Sequence, residues 1–268
     1  MKLILPVLSL LWAAQTFAQM PLDSTYKETE IEDSLSALFI KPIQNPEKLL
    51  KRTIERLKLD LQQKHEVQKF QVGAIFTQGT LTPFAAGYTF SAKAGVGLEK
   101  IKLDKFSYEG PYELALADSA QIRSYLIQFA TLSPVHAHKA YWESYKAMSP
   151  LVNFKETIKC YDVKADSIGD ASGKCLLRFR FTWKVKQRKD FDWNHYNGNI
   201  SGIAYFDSQT LRLTQFKGSA FMPSLQYITR LQYQIEYEEK VRTPVVKQIN
   251  MIGAKDDMIM KATMRRSP

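Results

Sequence analysis

The side chains able to do chemistry are few. Two cysteines, Cys160 and Cys175, flank the turn-rich stretch from Asp166 to Gly173. Their midpoint lies between Ser167 and Ile168, so in a simple hairpin they sit opposite each other, with Ile158 across from Leu177. Facing residues of an antiparallel pair have Cα atoms about 4.5 or 5.5 Å apart, within the span of a disulfide. In an oxidising compartment the spacing predicts a cross-strand Cys160–Cys175 bridge, contributing about 3 kcal/mol by loop closure. The other reading is two buried thiols, since free Cys is a common core residue.

The histidines are His65, His136, His138 and His195. His136 and His138 on a strand, completed by His195, would form a hydrolytic zinc site. The pair falls instead between Pro134 and a helix predicted over 138–148, where loop and cap positions suit it, so no metal is expected. Gly169 to Cys175 superficially resembles a phosphate loop. It has one residue too few between the glycines, Cys where Ser or Thr must hold magnesium, and a hairpin setting in place of a strand-to-helix turn. No Gly-x-Ser-x-Gly elbow occurs, and the adjacent acids Glu238-Glu239 and Asp256-Asp257 read as solvated turn charges. The chain is therefore expected to be no enzyme and to need no cofactor.

The elements that would position these residues begin after an export leader. Met1-Lys2, an apolar run from Leu3 to Ala14 and a small residue at Ala18 have the build of a cleavable secretory signal over residues 1–18. That run is too short to span a bilayer, which takes about 20 apolar residues. Residues 19–44 are expected to form a flexible acidic lead-in, ending in a short extended piece around Leu38 to Ile43. Residues 45–268 are expected to form a single β-rich domain, long enough to bury a core unaided.

Within it, Asn45-Pro46-Glu47 opens a helix over 46–63: Asn caps free amides, Pro suits the first turn and Glu suits the positive dipole end. Leu50, Ile54, Leu57 and Leu61 mark its buried face. Strands are predicted at 71–78, 85–92 and 98–107, then helices opening at Asp118 and spanning 138–148. A meander of strands follows. The strongest alternates Cys175, Leu177, Phe179, Phe181, Trp183 and Val185 with polar or charged neighbours such as Arg178, Arg180 and Lys184, the period of a half-buried strand. Others are predicted at 200–206, 211–216, 230–238, 245–252 and 258–264, paired antiparallel through short connections. The abundant rings, among them Trp183, Phe191, Trp193, Tyr196, Tyr205, Phe206, Phe216, Phe221, Tyr227, Tyr233 and Tyr237, are expected to fill the core under the sheet, or else to line a concave apolar surface.

The chain carries a net charge of +10, with 24% charged and 12% aromatic residues. Such a balance is that of a folded, soluble chain and excludes a disordered one. In an envelope compartment it reads as that of a generally basic soluble protein with dispersed lysines, or else as an attraction to anionic surfaces, with nucleic acid the lesser partner. The densest basic run, Lys184 to Lys189, reads as a solvated strand end.

The segment Leu38 to Leu57, with its Lys41-Pro42 linker and Asn45-Pro46-Glu47 opening, resembles exported bacterial envelope proteins with a carboxypeptidase-regulatory-like domain. Asn199 to Leu213 resembles the C-terminal part of that family, and is similar to a hairpin of the lipoprotein-carrier-like half-barrels of the periplasm. The resemblance covers about two thirds of the processed chain by this reading. It implies an envelope protein and not a peptidase, and transfers no site residues.

The expected fold is α+β, mainly β: a curved antiparallel sheet or half-barrel with two or three packed helices. The expected function is a non-enzymatic periplasmic binding or carrier module for a lipid or other hydrophobic ligand. The alternatives are a structural or partner-docking protein of an envelope complex, and more remotely a metal-dependent hydrolase using His136, His138 and His195. Lipid or another envelope protein is the expected partner, nucleic acid is not, and the product is expected to be exported, soluble or peripheral to a membrane.

Overall fold

The structure, a computed structural model, describes residues 39–61, 67–78, 84–93, 102–109, 150–151, 154–169, 173–184, 198–221, 230–238, 246–255 and 258–267. The described chain is mainly β. Its strands are β1 (Phe39–Pro42), β2 (Val67–Gln78), β3 (Phe84–Lys93), β4 (Lys102–Glu109), β5 (Tyr161–Gly169), β6 (Cys175–Trp183), β7 (Gly198–Asp207), β8 (Leu213–Phe221), β9 (Arg230–Tyr237), β10 (Val246–Lys255) and β11 (Met258–Arg266). Two helices join them, α1 (Pro46–Leu61) and α2 (Phe154–Cys160).

All strands form one 11-stranded sheet in the order β1-β5-β6-β7-β8-β9-β10-β11-β2-β3-β4. Every pairing is antiparallel. The sheet is open, with β1 and β4 as its edges, and matches the expected fold class. Twisted sheets of more than about ten strands have to curl, split or flatten. Register shifts at Thr89/Phe90, Asn199/Ser201, Tyr205/Phe206 and Val246/Gln248 mark bulges, where a strand bends and its twist increases.

The alternation predicted for β6 sets the two faces. Leu177, Phe179, Phe181 and Trp183 are buried on the inner face, as are their partners Tyr161 and Ala165 on β5 and Gly202, Ala204 and Phe206 on β7, while Val163 and Ser167 are half-buried. Helix α1 begins where Asn45 lends its carbonyl to the Leu49 amide at 3.3 Å, and packs Leu50, Ile54 and Leu57 into the same core as Phe179 and Phe181. It is described as far as Leu61, and the rest of the expected span, 62–63, lies outside the described residues. Phe154 to Cys160 is helical, whereas the hairpin expected around the cysteines puts Ile158 in a strand. Pro150 sets this short helix, its carbonyl accepting the buried Thr157 hydroxyl at 3.0 Å.

At the β7–β8 turn, Asp207 Oδ1 accepts from the amides of Gln209 and Thr210 and from the Thr210 hydroxyl, at 3.1, 2.7 and 2.8 Å. The helices expected after Asp118 and over 138–148 lie outside the described residues, as do the leader and most of the lead-in.

Candidate functional site

The inner face carries two unbroken cross-strand rows from β6 to β11. One runs Phe181, Gly202, Gly218, Tyr233, Met251, Ala262; the other runs Phe179, Ala204, Phe216, Ile235, Ile249, Met264. Neither row contains a charged side chain. Rings dominate the β6–β9 half, where Phe179 meets Phe206 edge-on at 5.8 Å and Phe216 lies 5.9 Å from Tyr233. Methionines dominate the β10–β11 half, with Met251, Met260 and Met264 all buried. Rings are rigid, whereas unbranched thioethers adapt to irregular apolar shapes. Each such side chain contributes about 1.5–3 kcal/mol on leaving water.

Of the aromatics noted in the sequence, Trp183, Phe206, Phe216, Tyr233 and Tyr237 are buried in this inner core. Tyr205 is also buried, but on the opposite, outer face, in a small cluster with Ile168 and Ile203. Phe191, Trp193, Tyr196 and Tyr227 lie outside the described residues.

The outer face holds an ionic cluster that the sequence reading missed. Asp166 stands directly across from Arg178 in the β5–β6 ladder. Arg178 Nε and Nη2 donate to Asp166 Oδ1 and Oδ2 at 2.7 and 2.9 Å, and Arg180 Nη1 donates to Oδ2 at 2.9 Å. This fork-on-carboxylate geometry is the strong, orientation-fixing form of the ion pair. Asp166 and Arg178 are each 5% exposed.

Burial pushes the Asp166 carboxyl above its ordinary value, against the pull of Arg180. Burial, with the neighbouring Arg180 charge, lowers Arg178. Beside them the Lys217 ammonium lies 5.9 Å from the Tyr205 ring centroid, and burial lowers its pKa too. Tyr205 is pushed up to about 12, mainly by burial, so its phenol stays neutral. The available signal was Asp166 itself: an acid inside an apparent turn, with two arginines alternating on the facing strand.

The expected Cys160–Cys175 disulfide is not formed. Gly169, not Cys160, faces Cys175, and the ladder continues to Tyr161 facing Trp183. Cys160 comes one residue earlier, its carbonyl accepting the Lys184 amide at 2.8 Å. The two cysteines thus occupy opposite ends of the hairpin, nine residues out of register and separated by roughly 30 Å at 3.3 Å per strand residue, far beyond disulfide reach. The physical reason is that the loop is shorter than its polar composition suggested. Asp166 and Ser167 stay in the strand because Arg178 satisfies the acid, and pairing runs on to Gly169 opposite Cys175, with Gly173 at φ +80° just before the second strand. Cys175 Sγ lies 3.1 Å from Ser167 Oγ instead.

The same hairpin confirms that Gly169 to Cys175 connects two strands, the wrong setting for a phosphate loop. His136, His138 and His195 lie outside the described residues. Among the described residues no group of three His, Cys, Asp or Glu side chains could hold a metal, and no helix is long and apolar enough to cross a membrane.

Three solved structures align with most of the chain. A DUF1329 family protein from Desulfovibrio piger ATCC 29098 is 8% identical over 83% of this chain and 93% of its own, with a TM-score of 0.31. A LolA superfamily protein from Nitrosomonas europaea is 7% identical over 82% and 94%, with a TM-score of 0.30. An outer membrane lipoprotein-sorting protein domain from Vibrio parahaemolyticus is 8% identical over 82% and 92%, with a TM-score of 0.35. None of the three is a carboxypeptidase-regulatory-like domain. No family model matches the sequence, and no curated protein matches it.

Proposed function

We propose that the chain is a non-enzymatic binding or carrier module for a lipid or other long-chain hydrophobic ligand, with the inner face of the sheet as its binding surface. The observation that carries this reading is the pair of uncharged rows crossing β6 to β11. A stiff aromatic floor beside a methionine-rich one suits a ligand with a flexible hydrocarbon part, because thioethers repack around varied shapes. The side chains of both rows are buried, so this face is apolar and dry when no ligand is bound.

The setting proposed is the bacterial envelope, with residues 1–18 removed on export and residues 45–268 acting as one β-rich domain. The leader-like start and the net charge of +10 support that setting.

Native mass spectrometry of the protein purified from the envelope, followed by titration of the delipidated protein with a fluorescent fatty acid, tests the reading. A co-purified lipid and saturable probe binding, weakened in Ala262→Trp, are expected. A protein that arrives empty and binds no probe at concentrations that saturate serum albumin would sink it.

A further inference from the structure

We propose that the outer face of β5 and β6, with the adjoining edge strand β1, docks on an anionic membrane surface through Lys164, Arg180 and Ile40. Lys164 and Arg180 are direct cross-strand partners, and both project from the outer face. Like charges placed opposite each other in a ladder are unfavourable, and here only Arg180 has a carboxylate partner, Asp166.

The described carboxylates of this hairpin are already paired. Asp162 meets Lys184 at 3.3 Å, and Asp166 accepts from Arg178 at both of its oxygens and from Arg180 at one. That single bond anchors Arg180 by Nη1, while its side chain stays 38% exposed. Lys164 is exposed. The surplus positive charge on this face therefore sits on one free ammonium and one held guanidinium, beside the exposed Thr182.

Apolar surface lies on the same side. Ile40 faces Ile168 across β1 and β5, so it shares the outer face, and it is 52% exposed. Lys164 and Ile168 are four residues apart on β5, about 13 Å at strand rise. Phe39, its neighbour on the edge strand, turns its ring to the opposite face, over Gly169.

Cations and an exposed apolar side chain on one face of the sheet match a charged lipid surface, which offers both anionic head groups and hydrocarbon. Stable membrane association takes two such signals together. Charge extends along the chain as well: after Lys184 the sequence adds Lys186, Arg188 and Lys189 before the next acid, Asp190.

The proposal does not depend on cargo binding, since the patch lies on the face opposite the inner rows. It is tested by flotation of the full chain with vesicles of phosphatidylcholine alone or mixed with phosphatidylglycerol. Binding is expected only with the anionic vesicles, and is expected to disappear at molar salt, where screening is complete within a few ångströms. Lys164→Gln and Arg180→Gln should each weaken it about fivefold, the contribution of one basic residue near an anionic surface. Ile40→Ser should weaken it further, and Lys51→Gln on the exposed side of α1 should not. Circular dichroism melts check that each variant is folded.

Equal binding to neutral and anionic vesicles would overturn the proposal, as would wild-type binding by the Lys164 and Arg180 variants. Displacement by millimolar inorganic phosphate at constant ionic strength would also overturn it, reassigning the pair to a single-phosphate site.

Discussion

Gly202 and Gly218 are partners across β7 and β8, and each lies beneath an aromatic ring of the inner face. A Cβ at Gly202 would come 2.6 Å from Cζ of Phe216, and one at Gly218 would come 2.5 Å from Cζ of Tyr233. The rings therefore rest on bare backbone. Neither has room to retreat, since Phe216 is 0% and Tyr233 4% exposed.

Gly218→Ala sets two effects against each other. Losing a glycine stiffens the unfolded chain and stabilises by about 0.4–1 kcal/mol. Overpacking a closed core costs about 1–3 kcal/mol, and at 2.5 Å the clash wins. Urea denaturation should show a net loss of about 1–2 kcal/mol, with Gly202→Ala behaving alike. An unchanged midpoint in both variants would mean that the rings do not lie on the sheet.

Asp166→Ala removes three hydrogen bonds and breaks a buried pair. Breaking such a pair typically costs about 3–5 kcal/mol, whereas replacing both partners by apolar side chains is often neutral. The double variant Asp166→Val with Arg178→Leu should therefore be more stable than Asp166→Ala alone. Arg180→Gln should cost less than about 1 kcal/mol, because its side chain is partly in water. Equal losses in Asp166→Ala and Arg180→Gln would contradict the burial of the pair.

Tyr205 and Lys217 make the alkaline limb of stability informative. The folded phenol holds its proton up to about 12, while the unfolded one releases it near 10. Unfolding above pH 10 thus releases a proton, so stability is full below 10 and falls as pH rises toward 12. Tyr205→Phe should flatten that decline. The lowered pKa of Lys217 acts with the opposite sign: the folded state sheds its proton first, so its cost is relieved as pH rises. Lys217→Met should make the alkaline decline steeper. Denaturation midpoints measured between pH 8 and 12, about two units either side of the tyrosine value, decide both.

The cysteines should behave as two separate thiols. Alkylation of the unreduced, unfolded protein is expected to add two labels, and Cys175, half-buried, should react in the native state well before the buried Cys160. A Cys160–Cys175 linked peptide in a non-reducing digest would contradict the register of β5 and β6.

Much of this architecture could be read from residue order. The two-residue period from Cys175 to Trp183 identified the inner face, and Asn45-Pro46-Glu47 located the start of α1. What escaped were features settled between strands. Arg178 has the local appearance of a solvated position, because nothing in its own strand shows that Asp166 lies opposite it. The hairpin register is hidden for the same reason: Asp166 and Ser167 have the composition of a loop, although cross-strand pairing keeps them extended. Helix α2 was missed because seven residues are too few to display a helical period beside a strand. The ring-on-glycine contacts require knowing that β8 lies between β7 and β9, which is a matter of topology.

The place of β11 has a bearing on how the protein is made. Its ladder to β2 joins residues 182 positions apart, such as Thr77 and Ile259, whose side chain and carbonyl meet at 3.4 Å. The three early strands β2 to β4 can reach the rest of the sheet only through this late one. A ribosome must therefore release nearly the whole chain before the sheet can knit together. Until then two half-built ladders with bare edges coexist, a species that a holding chaperone would have to shield.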